Sequence, residues 1–374
     1  MLSQALLVAS VAIACYAVYQ FSNTLGLNGN YYNHRPGICR RVAGVEHGSE
    51  DIQVMSDGKA FITSGYGTSS ILKYLKKHNV KGRILLFDFK DPSAGAVELE
   101  MQTGQGFDEN KFLPHGLSVL EDKERGEHLV YVISHPHGLP DLVEKFRFSP
   151  LSKQLIHLRS IPLGGNLGIT NDLALVAEDQ FYITIMAVFH FLPLLAIVET
   201  FLPLRTGSVF FYNGTEMQKI IPSLNNPNGV FLSPDHSLLY VNSFLDKTLQ
   251  VYRLQPLTNS AELLQTVQLF GRGDNVQLTQ AGDALLIGSH PKFLLFLEHY
   301  LALTPADVNS PSSVVRLPLD EEYLVREEDM TEMFYDHGDL ISGSSCAAIF
   351  DGQMLIGSVM DSLVHCELFV QAKR

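Results

Sequence analysis

The sequence predicts an all-β protein folded as a six-bladed β-propeller, and three observations support that prediction. Six segments share one pattern, in which a polar residue or pair precedes a short alternating strand, a turn rich in Asp, Asn, Gly or Pro, and a more continuously apolar strand. This pattern is typical of a β-hairpin. The hairpins recur about every 45 to 70 residues, as propeller blades do, and sustained helical periodicity is absent from the sequence. The segments begin at Glu50, His115, Asn171, Asn228, Asp274 and Ser345.

Each blade needs further strands outside its hairpin, and the intervening sequence contains candidates for them. The stretches "GRILLFDF" (82–89) and "LQVYRLQ" (249–255) are two examples. We therefore expect one propeller over residues 36–370. A pair of β-sandwiches is the main alternative, because the spacing of the hairpins is irregular.

Composition and charge narrow the classes of function. Of 374 residues, 46% are apolar and 18% are charged, which is enough apolar material for a large core. The formal net charge of −13 argues against nucleic acid as a partner, since phosphate binding requires clustered Lys and Arg. An acidic balance suits divalent cations, although an acidic solvated surface is the commoner cause.

The N-terminal segment, residues 1–24, is predicted to be an uncleaved signal-anchor helix. The first 34 residues contain no Asp, Glu, Lys or Arg, and residues 5–21 are almost wholly apolar and nearly long enough to cross a bilayer. A cleaved signal peptide is the alternative, but the basic n-region usual in such a peptide is missing. Arg35, Arg40 and Arg41 alone would favour a cytoplasmic body, so the orientation requires other evidence.

The cysteines and a sequon favour a lumenal or extracellular body. A bridge between Cys39 and Cys366 would join the start of the folded body to its end, which requires an oxidising compartment. In the loop-entropy model a loop of that length stabilises the fold by at most roughly 5 kcal/mol. Asn213 opens an Asn-Gly-Thr sequon and is a candidate glycosylation site. Four unrelated thiols in a cytosolic protein are the alternative. We expect a single-pass protein of the endoplasmic reticulum or cell membrane, with a secreted form as the alternative.

The polar residues that open the hairpins are expected to converge, because the innermost strands of a propeller line its central channel. Carboxylates and amide carbonyls are hard oxygen donors, of which calcium takes about six to eight. No Cys or His cluster with zinc spacing competes with them. Capping of turns is the alternative role for any single Asp or Asn. The set comprises Glu50, Asp51, His115, Asn171, Asp172, Asn228, Asp274 and Asn275.

Six of these stretches together give the chain a specific resemblance. "GSEDIQVM", "LPHGLSVL", "VISHPHG", "TNDLALVAEDQFY", "PNGVFLSPD" and "DNVQL" resemble the paraoxonase/arylesterase family, whose members are calcium-dependent six-bladed propellers. The match spans nearly everything after the N-terminal segment. It implies two calcium ions, and it implies that Asp274 is a buried ligand rather than part of an Arg-Gly-Asp adhesion signal (272–274). The implied catalytic calcium takes Glu50, Asn171, Asn228, Asp274 and Asn275, and the implied structural calcium takes Asp51, Asp172 and the backbone carbonyl of Leu117.

The resemblance also implies a reaction, the hydrolysis of lactones and aryl esters. Calcium would hold the carbonyl oxygen and stabilise the oxyanion that develops as water attacks. His115 would be the general base, and His135, its partner in the family's histidine dyad, would relay the proton or orient the base. Packing or hydrogen bonding near the channel is the alternative role for both histidines. Cys39 and Cys366 match the family's closing disulfide.

Residues 183–189, "ITIMAVF", depart from the family pattern, which places polar Asn, Asp and His in this wall of the active site. The following residues 190–204 are also apolar, although Pro193, Glu199 and Pro203 argue against a second membrane span. Residues 185–204 are therefore a candidate lid, membrane-lying segment or partner site. An ordinary buried loop is the alternative.

Two functions of different classes are compatible with these features. The first is a membrane-anchored, calcium-dependent lactonase or arylesterase acting on a small ester or lactone, and the pair His115 and His135 favours it. The second is a non-catalytic chaperone or accessory subunit for a membrane channel, as in the nematode branch of the family, and the altered segment 183–189 favours it. We favour the enzyme.

Overall fold

The computed structural model describes residues 31–65, 81–102, 107–122, 126–136, 140–164, 167–189, 204–255, 260–300 and 309–369, with a few single positions elsewhere. Within these residues the strands form six sheets, five of four strands and one of five. Each sheet is one blade around a common axis. The prediction of an all-β, six-bladed propeller is confirmed.

The strands follow the hairpin repeats, with the first strand of each hairpin innermost. Blade 1 contains β2 (Ile52–Val54), β3 (Lys59–Ser64), β4 (Arg83–Asp88) and β5 (Ala96–Glu98). Blade 2 contains β7 (Pro114–Asp122), β8 (Glu127–Ser134), β9 (Leu142–Ser149), β10 (Gln154–Pro162) and, outermost, β6 (Glu100–Gln102). Blade 3 contains β11 (Ile169–Ala177), β12 (Gln180–Ala187), β13 (Gly207–Tyr212) and β14 (Met217–Leu224).

Blades 4 to 6 repeat the arrangement. Blade 4 contains β15 (Pro227–Leu232), β16 (Leu238–Ser243), β17 (Thr248–Gln255) and β18 (Ser260–Gln268). Blade 5 contains β19 (Arg272–Leu278), β20 (Ala284–His290), β21 (Ser312–Pro318) and β22 (Thr331–Asp336). Blade 6 contains β23 (Ser344–Phe350), β24 (Gln353–Ser358), β25 (Val364–Leu368) and β1 (Gly37–Arg41).

Blade 6 closes the ring, because its outermost strand comes from the start of the chain. β1 pairs antiparallel with β25, and this register places Cys39 directly opposite Cys366. The two cysteines form a disulfide that links positions 327 residues apart. The predicted bridge is therefore confirmed, and among the described cysteines Cys15 and Cys346 are free.

The core consists of apolar layers between the blades rather than one central core. Six clusters of buried side chains each draw residues from two adjacent blades. Between blades 1 and 2, for example, the rings of Phe61 and Phe148 meet edge to face with centroids 4.9 Å apart. Truncating either ring to Ala is expected to cost about 3–5 kcal/mol. This packing leaves the axis to the inner strands, each of which contacts the inner strands of both neighbouring blades.

A short helix, α1 (Phe293–Tyr300), follows β20 and packs against the channel end of blades 4 to 6. The described part of the chain contains no helix with the length and apolar character needed to cross a bilayer. The predicted anchor, residues 1–24, lies outside the described residues apart from isolated positions, as does most of 190–203.

Candidate functional site

The polar residues at the starts of the inner strands meet at one end of the channel. Asn275 donates from Nδ2 to the backbone carbonyl of Glu50 at 2.9 Å and to its Oε1 at 3.0 Å, across 225 residues of sequence. Glu50 Oε1 also lies 3.3 Å from Nε2 of His115. All of these residues are at most 5% exposed. Glu50, His115 and Asn275, which belong to the openings of three different hairpins, are therefore in contact.

Two glycines allow the inner strands to approach this closely. A Cβ atom added at Gly116 would lie 2.5 Å from the carbonyl oxygen of Asn171, and one added at Gly229 would lie 2.5 Å from that of Asp274. These distances are too short for any side chain, so glycine is required after both His115 and Asn228.

Irregular pairing of the inner strands sets the direction in which these polar side chains point. In a regular strand consecutive side chains point to opposite faces, whereas a β-bulge locally re-aims them. Four inner strands shift their register at the polar residues, which explains how neighbours such as Asn171 and Asp172 both serve the axis. The shifts fall between Pro114 and Leu117, Thr170 and Leu173, Pro227 and Val230, and Gly273 and Val276.

One group of buried oxygens has no hydrogen-bond partner within the described structure. They are Oε2 of Glu50 and the Oδ1 atoms of Asn171, Asn228 and Asn275, and we call these four residues the open-oxygen layer. A buried acceptor left unpaired costs about 1–3 kcal/mol. Asp274 belongs to the same predicted ligand set, but its Oδ2 accepts a hydrogen bond from Nε2 of His290 at 2.8 Å.

A second group of buried oxygens is fully engaged by the backbone. Asp51 and Asp172, which we call the amide-bonded pair, each accept one hydrogen bond from the N–H of the following residue and one from the inner strand of the next blade. The cross-blade donors are Leu117 for Asp51 and Val230 for Asp172. All four bonds measure 2.7 to 2.8 Å. The pair therefore links blade 1 to blade 2 and blade 3 to blade 4.

Burial and mutual repulsion destabilise the ionised forms of the Glu50, Asp51 and Asp172 carboxyls. Burial, followed by the charge of Asp274, raises the pKa of Glu50 well above its usual range. Burial, followed by the charge of Glu50, raises the pKa of Asp51 to about 8. Burial and then the charge of Asp51 raise the pKa of Asp172 in the same way. A cation at the axis would stabilise the ionised forms.

The two predicted histidines are in contact beside the open-oxygen layer. His115 Nδ1 lies 2.9 Å from His135 Nε2, and both rings are buried. Burial lowers the pKa of His115 to about 4, against the opposing charges of Asp274 and Asp141. On its far side, His135 Nδ1 lies 2.9 Å from Oδ1 of Asp141. The pair is thus a hydrogen-bonded unit rather than two separate packing residues.

Comparison with known proteins decides the family. A sequence profile of the Arylesterase family matches residues 33–368. The chain belongs to the arylesterase family. Serum paraoxonase/lactonase 3 of the rabbit (Oryctolagus cuniculus) is 30% identical over 367 residues, which is 97% of this chain and 98% of that protein. Serum paraoxonase/arylesterase 1 of humans (Homo sapiens) is 30% identical over 333 residues, 88% of each protein.

A solved structure supports the fold alone. A luciferin-regenerating enzyme superposes with a TM-score of 0.50 at 10% identity, over 90% of this chain and 99% of that one. At this identity the likeness concerns the propeller and not the chemistry of the arylesterase family.

The residues of this arylesterase-family chain fit a hard cation. No three His, Cys, Asp or Glu side chains in the described ranges come together as a metal site. The available donors are carboxylate, amide and carbonyl oxygens, and four of these oxygens have no hydrogen-bond partner among the described residues. The ligand set inferred from sequence is chemically consistent with calcium.

Two residues near the arylesterase site were missed from sequence, although each had a signal. His290 lies in "SHP" (289–291), which repeats the "SHP" around His135, so the repeat itself pointed to it. Asp141 follows from hairpin pairing, because Ser134 at the end of β8 pairs with Leu142 at the start of β9. The next positions outward on the two strands are His135 and Asp141.

The altered segment 183–189 forms the end of β12 and the residues after it. Thr184 keeps a polar role, since its Oγ1 donates to the backbone carbonyl of Asn228 at 2.8 Å. Met186 stands beside the open-oxygen layer, with its sulfur 3.6 Å from Nδ2 of Asn171. Glu199, within the apolar stretch, is buried and accepts hydrogen bonds from the N–H groups of Val188 and Phe189 at 2.9 Å.

The structure places the Arg-Gly-Asp tripeptide and the predicted glycosylation site in different environments. Arg272 and Asp274 are 1% and 3% exposed, so the Arg-Gly-Asp tripeptide is not displayed as an adhesion signal must be. Asn213 is exposed in the turn between β13 and β14, where its Oδ1 accepts from the N–H of Thr215. Its glycosylation stays a prediction.

Proposed function

We propose that the protein is a calcium-dependent hydrolase of lactones and aryl esters. The observation that carries the proposal is the position of His115, a base buried beside Glu50, whose Oε2 has no hydrogen-bond partner in the described structure. Its Nε2 lies 3.3 Å from Oε1 of Glu50. The names of the relatives, which include arylesterase and lactonase, support the same class of reaction.

The open-oxygen layer with Asp274 would hold one calcium ion, and the amide-bonded pair with the carbonyl of Leu117 would hold a second. A bound calcium ion supplies a positive charge that polarises an ester carbonyl and stabilises the negative charge developing on its oxygen. The support for the first ion is the set of buried oxygens that have no hydrogen-bond partner in the described part of the chain. The support for the second is the raised pKa of both carboxyls, caused by burial and neighbouring charge.

His115 would act on the water. Because its pKa is lowered to about 4 by burial, the ring is neutral near pH 7 and can take a proton as the water oxygen bonds to the carbonyl carbon. The bond between that carbon and the leaving oxygen then breaks, and the imidazolium returns the proton to the leaving oxygen. The charges of Asp274 and Asp141 favour the transient imidazolium.

A second candidate function is a non-catalytic chaperone or accessory subunit of a membrane channel. The observation that favours it is the apolar wall at residues 183–189, where Met186 lies against Asn171. The hydrogen-bonded pair of histidines favours hydrolysis instead, because packing alone does not require it.

We further propose that residues 1–24 anchor the propeller on the lumenal or extracellular side of a membrane, with residues 185–204 as an additional contact. The disulfide supports an oxidising compartment. Exposure of Asn213 supports its access to glycosylation. Protease protection of microsomes, with an Asn213→Gln variant to assign the glycan, tests the orientation. Digestion of the propeller in intact microsomes would contradict it.

The decisive experiment measures hydrolysis by the full-length protein, made in a secretory host and purified in detergent. Phenyl acetate and a panel of lactones are tested with calcium, with chelator, and after calcium is restored. We expect turnover that chelator abolishes and calcium restores. Absence of turnover on every substrate, with a normal melting transition in calcium, would refute the hydrolase and favour the accessory function.

A further inference from the structure

We propose that Asp141 is a positioning residue that determines which nitrogen of His115 acts as the base. It does so by completing a relay of three side chains, Asp141, His135 and His115. The inference rests on the proposed hydrolase function, and it assigns a role to a residue that the sequence pattern did not single out.

The contacts form a continuous chain from Thr170 through Asp141 and His135 to His115. Asp141 Oδ1 lies 2.9 Å from Nδ1 of His135, and His135 Nε2 lies 2.9 Å from Nδ1 of His115. The other carboxylate oxygen of Asp141 accepts hydrogen bonds from the N–H and from Oγ1 of Thr170, both at 3.0 Å. Both oxygens of Asp141 are therefore committed.

This chain of contacts determines the tautomers of both histidines. A carboxylate only accepts hydrogen bonds, so Nδ1 of His135 carries the proton, and Nε2 of a neutral His135 is an acceptor. His115 must then donate from Nδ1. Its unprotonated nitrogen is Nε2, which lies 3.3 Å from Glu50 and 3.5 Å from Nδ2 of Asn171, within the open-oxygen layer. The basic nitrogen thus faces the predicted site of reaction.

Asp141 is held in place by its position at the end of a hairpin and by Thr170. Asp141 immediately precedes β9, next to the last residue pair of the hairpin, Ser134 with Leu142. Its hydrogen-bond partner Thr170 belongs to the inner strand of the next blade. Its side chain is 15% exposed. Asp141 also lies outside the altered segment 183–189. The apolar character of that segment therefore does not remove the carboxylate partner of His135.

An Asp141→Asn variant should reverse the relay. Thr170 donates two hydrogen bonds to one side of the carboxylate, so the single amide oxygen is expected to stay there. The amide NH₂ would then face Nδ1 of His135 and force it to accept. The proton moves to Nε2 of His135, and Nε2 of His115 becomes protonated and cannot take a proton from water. In a comparable carboxylate–histidine pair this exchange costs up to about 10⁴ in turnover with little change in geometry.

The test compares kcat and KM for wild type, Asp141→Asn and Asp141→Glu on a lactone in saturating calcium. We expect Asp141→Asn to lose about 10² to 10⁴ in kcat with little change in KM. Asp141→Glu should recover part of the loss, because it remains an acceptor. A purely structural role predicts the reverse order, since Asn preserves the shape of Asp and Glu does not. Asp179→Asn is the matched control, because Asp179 bonds Lys145 at 3.0 Å and lies in neither the relay nor either predicted ion site.

The tautomers are read independently of turnover from ¹⁵N–¹H spectra of histidine-labelled protein. We expect His115 and His135 to be protonated at Nδ1 in the wild type and at Nε2 in Asp141→Asn. Unchanged kcat in Asp141→Asn, or a loss of kcat with unchanged tautomers, overturns the role of Asp141. A wild type that hydrolyses nothing refutes the hydrolase, and with it the catalytic role, whereas the spectra still decide whether the relay of protons exists.

Discussion

Two residues of the open-oxygen layer directly precede the two residues of the amide-bonded pair in the sequence, yet the oxygens of the two groups have opposite hydrogen-bonding environments. Glu50 precedes Asp51, and Asn171 precedes Asp172. The first member of each couple has a buried oxygen without a hydrogen-bond partner in the described structure. The second member has both carboxylate oxygens bonded to backbone N–H groups.

This difference shows that buried polar side chains serve two purposes at the axis of the propeller. The amide-bonded pair contributes to the fold directly, because each carboxylate links two blades through short hydrogen bonds. The open-oxygen layer costs the fold about 1–3 kcal/mol for each unpaired acceptor, which a ligand from outside the chain would offset. We expect substitutions in the two regions to respond differently to calcium.

The largest expected effect comes from His115, which belongs to neither region. His115→Gln should lower turnover by about 10² to 10⁴, because it removes the base. The calcium-dependent rise in melting temperature should survive, since His115 is not a predicted ligand. Initial rates and thermal melts on the same preparation check both statements. Turnover at the wild-type level would exclude His115 as the base.

A smaller effect is expected in the open-oxygen layer. Asn228→Ala removes an oxygen that bonds nothing else in the described structure, so the melting temperature in chelator should change little. Calcium affinity should fall at least about 10-fold to 100-fold, the usual cost of disturbing even an outer partner of a metal ligand. Calorimetric titration with calcium measures the loss. Unaltered calcium affinity would remove Asn228 from the site.

The amide-bonded pair should behave in the opposite manner. Asp51→Asn leaves one acceptor for two N–H donors, so the variant should lose about 1–3 kcal/mol of stability even in chelator. Denaturant melts in chelator measure this loss. Asp320→Asn is the matched control, because Asp320 accepts two backbone hydrogen bonds through a single oxygen, which Asn retains. A loss of stability that occurs only with calcium present would mean that Asp51 behaves like the open-oxygen layer.

The smallest effect is expected at Met186. Its sulfur is a weak acceptor for Asn171, so Met186→Ala should change KM for a lactone by a few-fold at most. Kinetics on the variant check this. If the protein serves instead as an accessory subunit, the same substitution should lower surface expression of the partner channel while calcium-dependent stability is retained.

The sequence by itself determined the number of blades and the identity of the polar residues at the axis. Six hairpins with a period of two along each strand leave few other ways to bury so much apolar surface. Because each hairpin opens on a polar residue, stacking the repeats around an axis places Glu50, Asn171 and Asp274 together whatever the detailed packing. His115 opens one of these hairpins, whereas His135 was recognisable only through the resemblance to the family.

Only the tertiary structure decided which oxygens are paired and which partner orients the histidines. Asp51 bonds the N–H of Leu117 across 66 residues, and Asn275 bonds Glu50 across 225, so neither contact has a local signature. The bulges that aim Asn171 and Asp172 toward one axis depend on how each inner strand pairs with its neighbour. Asp141 reaches His135 through the end of a hairpin and is held by Thr170 from the next blade. Hydrogen bonds between blades depend on how the blades dock, and that is decided by apolar packing spread over the whole ring.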